Sequence, residues 1–259
     1  MICHICDTEM KLSFSKKILN KYNVQYFLCP NCGYLTTEEA FWLDEAYTTA
    51  IAATDVGLIS RNIQNSRQLI NILYFLFGKE NKYVDISGGY GILCRIMRDC
   101  GFNYYWEDLY CPNLFSQGFE ASAEDHFHAA SLFEVIEHTK APLYFIKSMF
   151  DKYKLKSLIF TTNLYEEKTL SPNWWYLAPE TGQHISFFKR ETLIKMAMIL
   201  NVNFYTISNM YIFSQEKLSP LIISLCSKSK IKNILNILAK MGMTSRLMDD
   251  YIYLRSKIK

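Results

Sequence analysis

The stretch Tyr83-Val-Asp-Ile-Ser-Gly-Gly-Tyr-Gly-Ile-Leu-Cys-Arg-Ile-Met-Arg98 joins two secondary-structure patterns across a cluster of glycines. Its first residues are apolar and β-branched, which favours a strand, and apolar residues return at helical spacing after Gly91. Glycine permits positive φ angles and lets the backbone lie close to a ligand, while the following helix offers unpaired N–H groups. The stretch therefore predicts a strand, a glycine loop and a helix that bind a nucleotide-like ligand.

The presence or absence of a third glycine distinguishes two classes of nucleotide-binding glycine loops. A dinucleotide-binding loop has the pattern Gly-x-Gly-x-x-Gly, in which the third glycine packs the helix onto the sheet. In this chain Gly89 and Gly91 are followed by Ile92, Leu93 and Cys94. A dinucleotide is therefore not the expected ligand, and a glycine turn that binds nothing is the other alternative.

The arrangement Asp-x-Ser-Gly-Gly-Tyr-Gly resembles the first motif of class I S-adenosylmethionine (SAM)-dependent methyltransferases. In that family the glycines lie under the methionine part of SAM, and an acid at the end of the next strand binds the ribose. Here Glu107 and Asp108 end the next strand-like run, and Asp108 is the better placed. The family usually has glycine where this chain has Ser87. The cofactor-binding residues implied by the resemblance are Asp85, Ser87, Gly88, Gly89, Tyr90, Gly91, Asp108 and Leu109.

A second apolar run, 130–133, is followed by acids and a histidine. Open α/β sheets bind ligands at the carboxyl ends of their strands. The sequence Glu134-Val-Ile-Glu137-His138 resembles the fourth-strand motif of the same methyltransferases. The resemblance places Glu134 beside the transferred methyl group, as a cofactor contact and a catalytic candidate. His138 is a further catalytic candidate, with a helix-capping pair of Glu137 and His138 as the alternative.

Aromatic residues, proline, glycine and histidine crowd the stretch Trp174 to Phe188, which predicts a pocket wall. This stretch resembles the segment after the fifth strand of sugar-modifying methyltransferases, which implies a sugar acceptor. Because an imidazole titrates near neutral pH, His184 is suited to remove a hydroxyl proton as the oxygen attacks the methyl group. The alternative is that His184 only holds its loop by hydrogen bonding.

The N-terminal region contains two Cys-x-x-Cys pairs separated by 22 residues. Four thiolates complete the tetrahedron that zinc favours, and they leave no open coordination position for chemistry. The pattern predicts a small zinc ribbon with a structural or recognition role, and a redox pair or free cysteines are the alternatives. The predicted ligands are Cys3, Cys6, Cys29 and Cys32.

The region between the cysteines and the glycine loop has a helical pattern. The residues 36–39, Thr-Thr-Glu-Glu, predict a helix start. The region resembles the segment before the glycine loop in methyltransferases of bacterial surface-polysaccharide clusters, in related members of which a helix covers the cofactor. This implies that Arg61 meets the methionine carboxylate and that Tyr47 lies on the substrate side. An amphipathic linker with a solvated Arg61 is the alternative.

Composition limits the class of protein. The chain has 259 residues, half of them hydrophobic, and can bury a full core, while its net charge of +3 is too small to indicate nucleic-acid binding. No signal peptide and no apolar run of about 18 residues is visible, so we expect a cytoplasmic protein whose eight cysteines are thiols or metal ligands. The basic tail from Gln215 is compatible with contact with an acidic partner or a membrane surface, and a solvated face on a packed helix is the alternative.

Together these patterns predict an α/β protein with a doubly wound, Rossmann-like methyltransferase sheet, a small N-terminal zinc ribbon and a helical lid. The expected parts are a zinc ribbon (1–36), a helical linker or lid (37–80), a SAM-binding methyltransferase core (81–214) and a basic helical C-terminal segment (215–259).

By resemblance, the chain is expected to be a SAM-dependent methyltransferase of the type found in bacterial capsule and surface-polysaccharide clusters, with SAM and a structural Zn²⁺ as cofactors. The expected acceptor is a hydroxyl of a sugar, a nucleotide-activated sugar or a capsular-polysaccharide building block. Carbon methylation of a nucleotide-linked keto-sugar is the second possibility. A non-catalytic zinc-ribbon module that binds nucleic acid is the third, although the ribbon lacks the dense basic and aromatic residues of such a surface. Nucleic acid is therefore not an expected partner.

Overall fold

The computed structural model describes residues 1–47, 55–168 and 170–258, and the secondary structure of these residues is mixed α/β. The strands are β1 (Lys11–Ile18), β2 (Tyr22–Leu28), β3 (Leu35–Thr37), β4 (Lys82–Ile86), β5 (Asn103–Glu107), β6 (Ala129–Phe133), β7 (Ser157–Thr161), β8 (Ser186–Phe187), β9 (Asn203–Ile207) and β10 (Met210–Ser214). The helices are α1 (Leu43–Ala46), α2 (Leu58–Ile72), α3 (Ile92–Asp99), α4 (Pro142–Tyr153), α5 (Arg190–Leu200), α6 (Pro220–Ser227), α7 (Ser229–Met241) and α8 (Leu247–Lys257).

The chain divides into two compact units, each built from three separate segments. The first unit comprises the described residues of Met1–Ala52, Glu134–Met149 and Thr161–Phe204. The second comprises those of Ala53–Phe133, Phe150–Phe160 and Tyr205–Lys259. The four-part division of the sequence stays a prediction.

A six-stranded sheet forms the centre of the second unit, in the order β5-β4-β6-β7-β10-β9. Strand β4 pairs in parallel with β5 on one side and β6 on the other, and β10 is antiparallel to β7. Strands covered on both faces are expected to be continuously apolar, as in Tyr83, Val84 and Ile86, which are buried. The predicted α/β fold with a central, mostly parallel sheet is confirmed.

The order of these strands places the glycine loop where ligands bind in such sheets. The chain passes from β4 to β5 on one side and later returns to β6 on the other side of β4. The carboxyl end of a strand at such a change of direction opens onto a crevice. The loop 87–91 follows β4 directly and leads into α3, as the sequence predicts.

The first unit contains a four-stranded sheet in the order β1-β2-β3-β8, all paired antiparallel. Its core includes the buried side chains Tyr26, Trp42, Tyr176 and Phe187. The helix start predicted at Thr36 and Thr37 is wrong, because both residues belong to β3. Thr36 pairs with β2 and β8, and its hydroxyl donates to the carbonyl of Ile185 at 2.9 Å.

None of the helices in the described part of the chain is both long and apolar enough to cross a membrane.

A buried arginine joins α3 to α8 within the second unit. The Nε and Nη2 atoms of Arg98 donate to the two carboxylate oxygens of Asp250 at 2.8 and 2.5 Å. Its Nη1 donates to the carbonyl of Tyr104 at 2.8 Å, and the ring centroid of Phe119 lies 3.5 Å from the guanidinium carbon. Burial acts to raise the pKa of Asp250, but hydrogen bonds from Arg98 and Arg95 lower it overall. The two-pronged pairing makes a buried guanidinium tolerable.

Replacing Asp250 with asparagine should lower the free energy of unfolding by about 3 to 5 kcal/mol, because Arg98 would stay buried without a counter-charge. Urea denaturation followed by circular dichroism would measure the change. The matched control is Asp249→Asn, since Asp249 is exposed on the same helix; it should cost less than about 1 kcal/mol. Equal losses for the two variants would contradict the role of the ion pair.

Candidate functional site

The glycine loop has the backbone conformation of a ligand-binding turn. Ser87, Gly89 and Gly91 have φ angles of +54°, +56° and +86°. Ser87 occupies the left-handed region that glycine adopts without cost, which explains why the related motif has glycine there. A Cβ on Gly91 would lie 2.7 Å from Oδ1 of Asn113, whereas a Cβ on Gly89 would meet nothing within 4 Å. Within the described part of the chain, no atom fills the space in front of Gly89.

Asp85 lies beneath this loop. Its side chain is buried, and Oδ1 accepts a hydrogen bond from the hydroxyl of Ser131, which in turn accepts one from Tyr104 at 2.7 Å. A Cβ on Gly88 would approach Oδ2 of Asp85 to 2.8 Å, so only glycine fits above the carboxyl. Burial raises the pKa of Asp85 to about 7, the hydrogen bond from Ser131 opposes the rise, and the charge of Asp108 adds to it. Asp85 supports the loop from below.

Asp108 lies at the end of β5 and holds the loop from the side. Its Oδ2 accepts a hydrogen bond from the N–H of Gly89 at 2.9 Å, and its Oδ1 accepts from the N–H groups of Tyr110 and Cys111 at 2.7 and 2.8 Å. The neighbouring Leu109 is 83% exposed. The alternative acid, Glu107, forms an ion pair with Lys152 at 3.1 Å. Of the two acids, Asp108 is the one whose side chain bonds the glycine loop, whereas Glu107 accepts from the N–H of Gly88 through its backbone carbonyl at 3.1 Å.

Arg61, the predicted partner of the methionine carboxylate, lies in the first turn of α2. Its guanidinium forms a two-pronged ion pair with Asp55, with nitrogen–oxygen distances of 2.7 and 2.6 Å. The predicted contact of Arg61 with a methionine carboxylate stays a prediction, as does the lid. Residues 48–54, which belong to the predicted lid, lie outside the described residues.

The predicted catalytic residues come together in the first unit. Rings of His138 and His184 meet edge to face, with centroids 4.8 Å apart. Glu137, between the predicted Glu134 and His138, is fully buried and accepts a hydrogen bond from the Tyr176 hydroxyl at 2.5 Å. The same hydroxyl lies 3.5 Å from Oε2 of Glu134. The group therefore contains two carboxylates and two imidazoles.

Burial sets the protonation of this group. Burial, with a smaller contribution from the charge of Glu134, raises the pKa of Glu137 to about 8. Burial also lowers the pKa of His138 to about 3, with a contribution from His184, and lowers the pKa of His184. The Nδ1 atom of His184 lies 2.6 Å from the carbonyl oxygen of Tyr176, so Nδ1 carries the proton and Nε2 has the lone pair. Both imidazoles are neutral at pH 7.

The helix predicted to start at Glu137-His138 begins later. Residues Ile136–His138 form a single 3₁₀ turn, and α4 starts at Pro142. His138 is thus held by its contacts: its Nδ1 lies 2.9 Å from the Tyr47 hydroxyl and 3.1 Å from the Gln183 carbonyl oxygen.

The four predicted metal ligands also come together in the first unit. Their sulfur atoms lie within 4.8 Å of one another, and the pairs Cys3–Cys32 and Cys6–Cys29 are 3.6 and 3.5 Å apart. A tetrahedron of thiolates around zinc, with bonds of about 2.3 Å, has sulfurs about 3.8 Å apart. The N–H of Ile5 donates to Cys3 at 3.4 Å, which favours a thiolate. The donor set fits a tetrahedral zinc ion.

Sequence reasoning missed three contributors to these arrangements. Ser131 is a lone hydroxyl in an apolar strand, and its bond to Asp85 connects residues 46 positions apart. Tyr176 bonds Glu137 across 39 positions. Trp106 donates from Nε1 to the carbonyl of Gly89 at 2.9 Å. The alternation of β5 offered a signal for Trp106 as an inward-facing residue. The sequence places Tyr176 in the predicted pocket wall but not beside Glu137, and it has no local signal for Ser131.

Replacing Asp85 with asparagine should change how stability depends on pH. The pKa of Asp85 is about 7 in the folded chain against an ordinary 3.8. Between these pH values the unfolded chain releases the proton and the folded chain keeps it, so this group lowers stability as pH rises. Asp85→Asn should remove that fall, which amounts to at most about 1.4 kcal/mol per pH unit. Urea denaturation between about pH 4.5 and 7.5 would measure it, and parallel curves for the two proteins would contradict it.

Several solved structures of methyltransferases resemble this chain. They include TnmH (14% identity, TM-score 0.47, 68% of this chain and 61% of that one). Another is an O-methyltransferase family 2 protein from Planctomyces limnophilus DSM 3776 in complex with apigenin. Its sequence identity is 10% and its TM-score 0.47, and the match covers 69% of this chain and 62% of that one. A third is the magnesium protoporphyrin IX methyltransferase ChlM from Synechocystis PCC 6803 with bound SAH. Its sequence identity is 11% and its TM-score 0.45, and the match covers 66% of this chain and 90% of that one.

The likeness to these structures is limited. The chain spans only about three fifths of the length of the first two, at 61% and 62%. Because the TM-scores lie below 0.5, these structures add nothing to the assignment of a substrate. The comparison with curated protein sequences found no match.

A family comparison covers the chain more broadly. The family described as Methyltransferase domain matches residues 61–208, which is more than half of the chain and includes the glycine loop, Asp108 and the Glu134–His138 run. The chain therefore belongs to the methyltransferase-domain family, which agrees with the predicted enzyme class.

Proposed function

We propose that this chain transfers the methyl group of SAM to a hydroxyl of a sugar, a nucleotide-activated sugar or a capsular-polysaccharide building block. The observation that carries the donor half of the proposal is the loop around Gly89, whose positive φ and open front are suited to a ligand lying against the backbone. The acceptor half is supported by the group of carboxylates and imidazoles that includes Glu134, His138 and His184.

The donor-binding residues proposed are those of the glycine loop and Asp108. The loop leads into α3 at Gly91, so the first N–H groups of the helix lie beside it. Asp108 is fixed by three N–H donors, which keep its carboxylate oriented. A carboxylate has about four acceptor positions, so one is left for a ribose hydroxyl. The buried Asp85 below the loop and the exposed Leu109 beside Asp108 complete the proposed donor-binding residues.

The reaction needs little from the protein beyond positioning. A sulfonium methyl group is displaced in line by an oxygen lone pair, and orientation with exclusion of water supplies most of the acceleration. The acceptor hydroxyl must lose its proton during the reaction. His184, neutral and with its Nε2 lone pair available, is suited to this step. The ring of His138 contacts it, and Glu134 lies 3.5 Å from the hydroxyl of Tyr176.

A structural Zn²⁺ in the N-terminal unit is part of the proposal. The distances of 3.6 and 3.5 Å within two sulfur pairs, and of at most 4.8 Å among all four sulfurs, support it, and the four cysteines are free thiols. Cys3, Cys6, Cys29 and Cys32 would hold the ion, which supplies no chemistry because four thiolates fill its coordination sphere. The ion would stabilise the fold of the first unit.

The family to which the chain belongs disfavours one of the alternatives predicted from the sequence and leaves another open. A non-catalytic nucleic-acid module is disfavoured by the family to which the chain belongs. Carbon methylation of a nucleotide-linked keto-sugar stays open, because a base at His184 serves a carbon acid as well as a hydroxyl. The cytoplasmic location and the capsule-cluster type stay predictions.

The proposed peripheral membrane contact is supported by α7. The apolar residues Ile234, Ile237, Leu238 and Met241 recur at helical spacing and are between 50% and 79% exposed. Lysines 230, 232 and 240 belong to the same helix. An exposed apolar stripe with basic neighbours suits the surface of an anionic lipid bilayer.

Replacing Gly89 with asparagine tests the donor site. Asparagine tolerates a positive φ, and no atom of residues 1–47, 55–168 or 170–258 obstructs a Cβ there. The fold should therefore persist while the side chain fills the space proposed for SAM. Calorimetry with S-adenosylhomocysteine should show micromolar binding to the native chain and at least a tenfold weaker binding to the variant.

The matched control for Gly89→Asn is Ser208→Asn. Ser208 also has a positive φ, of +54°, and lies in the exposed turn between β9 and β10. This variant should bind S-adenosylhomocysteine as the native chain does. Unchanged binding by Gly89→Asn, or no binding by the native chain, would remove the loop from donor recognition.

Metal analysis tests the zinc ribbon. The purified chain should contain about one zinc per molecule, and Cys6→Ser should lose most of it and lower the melting temperature by roughly 5 °C or more. The control is Cys100→Ser, a partly buried cysteine of the second unit, which should keep its zinc. A native chain without zinc that melts no lower after chelation would contradict the assignment.

A further inference from the structure

Two imidazoles and a carboxylate of the first unit lie as close together as the ligands of one metal ion. One ligand atom from each of Glu137, His138 and His184 lies within 4.8 Å of the other two. The two rings are nearly perpendicular, at 82°, so they are not stacked. Two histidines and one carboxylate form a donor set that divalent transition metals prefer.

The hydrogen bonds at Nδ1 of His138 and His184 are of the kind that metal-binding histidines make. A histidine that binds a metal through one nitrogen usually donates from the other to a carbonyl or a carboxylate, which fixes the ring. His184 has its Nδ1 2.6 Å from the carbonyl oxygen of Tyr176, and His138 has its Nδ1 3.1 Å from that of Gln183. In each ring Nε2 is then the nitrogen available to a ligand.

The carboxylate of Glu137 has an unsatisfied oxygen. Glu137 is fully buried, and its Oε1 accepts a hydrogen bond from the Tyr176 hydroxyl. Its Oε2 is also buried and has no hydrogen-bond partner among the residues that the structure describes. A buried polar oxygen without a partner costs about 1 to 3 kcal/mol, so its presence calls for an explanation. A cation bound among these side chains would supply the missing partner.

Glu134 adds a second carboxyl group and is held in an unfavourable conformation. Its φ is +56°, a strained value for glutamate. The Thr161 hydroxyl both accepts from the N–H of Glu134 at 3.1 Å and donates to its Oε1 at 2.8 Å. The Tyr176 hydroxyl connects Glu134 to Glu137, with oxygen–oxygen distances of 3.5 and 2.5 Å. Two carboxylates so close together favour a divalent cation as their counter-charge.

We propose that Glu137, His138 and His184 bind one divalent transition-metal ion, with Glu134 as an additional carboxylate beside it. The role of the ion rests on the proposed function. Three protein ligands leave positions for oxygens of the acceptor, which favours a hydroxyl that has a second oxygen on the adjacent carbon, as in a sugar diol. His184 then acts as a metal ligand and not as a free base.

The bound ion would activate the acceptor hydroxyl for its attack on the methyl group of SAM. A cation bound to a hydroxyl oxygen lowers the pKa of the hydroxyl, so a weak base is sufficient. The O–H bond breaks, and the proton passes to the Glu134 carboxylate and then to water. The oxygen attacks the methyl carbon, and the carbon–sulfur bond breaks with its electron pair on sulfur. The products are a methyl ether, S-adenosylhomocysteine and one proton.

Manganese(II) distinguishes this site from the four-cysteine cluster. Imidazole and carboxylate ligands accept Mn²⁺, whereas a cluster of four thiolates selects zinc. The zinc-loaded chain, titrated with Mn²⁺ alone, should remove the electron paramagnetic resonance signal of free aqueous Mn²⁺ with about one site per molecule. Electron spin echo modulation from imidazole nitrogen in the bound state should identify histidine ligands without any variant.

Three variants and two controls sharpen the experiment. His184→Ala, His138→Gln and Glu137→Gln should each weaken Mn²⁺ binding at least tenfold. His126→Ala and Glu124→Gln change exposed residues of the second unit and should leave the titration unchanged. Circular dichroism would verify folding. No Mn²⁺ uptake by the native chain, no nitrogen modulation, or uptake that folded His184→Ala and Glu137→Gln retain would each overturn the proposal.

The failure of this inference is distinguishable from the failure of the proposed function. Binding of S-adenosylhomocysteine without Mn²⁺ uptake would remove the metal site and leave methyl transfer standing. Mn²⁺ uptake without binding of S-adenosylhomocysteine would support the metal site while contradicting SAM as the donor. The two titrations use different probes and are read separately.

Discussion

The hydrogen-bonded chain from Tyr104 through Ser131 to Asp85 is the interaction on which the glycine loop depends. These three residues belong to the adjacent strands β5, β6 and β4, and all are buried. A buried carboxyl group is tolerated only when hydrogen bonds replace its water. Here those bonds also hold the carboxyl directly beneath Gly88, where no side chain fits. The strand register and the path of the loop are therefore set by the same contacts.

A second constraint recurs at the ends of two neighbouring strands. Ser87 follows β4 and Glu134 follows β6, and both have positive φ angles although neither is glycine. Each costs roughly 1 to 2 kcal/mol of conformational energy. Such strain persists where surrounding contacts impose it, as Thr161 does for Glu134, and it is concentrated at functional sites. Both positions lie where sequence analysis expected chemistry.

The parts of the fold that sequence reasoning predicted are those with local signals. The strand, loop and helix from Tyr83 to Arg98 follow from a change of apolar period around glycines, and the four cysteines follow from their spacing. Thr36 was placed in a helix, because capping patterns are local whereas its pairing with β8 joins residues 150 positions apart. Ser131 and Tyr176 could not be predicted, since only the fold brings them to Asp85 and Glu137.

The pairing of Arg98 with Asp250 has a consequence for how this protein is made. The ribosome releases α3, with its arginine, well over a hundred residues before it releases α8. Until α8 emerges, the guanidinium has no carboxylate to receive it and must stay in contact with water, since burying an unpaired charge is too costly. The nascent chain therefore completes the packing around α3 only after synthesis has passed Asp250.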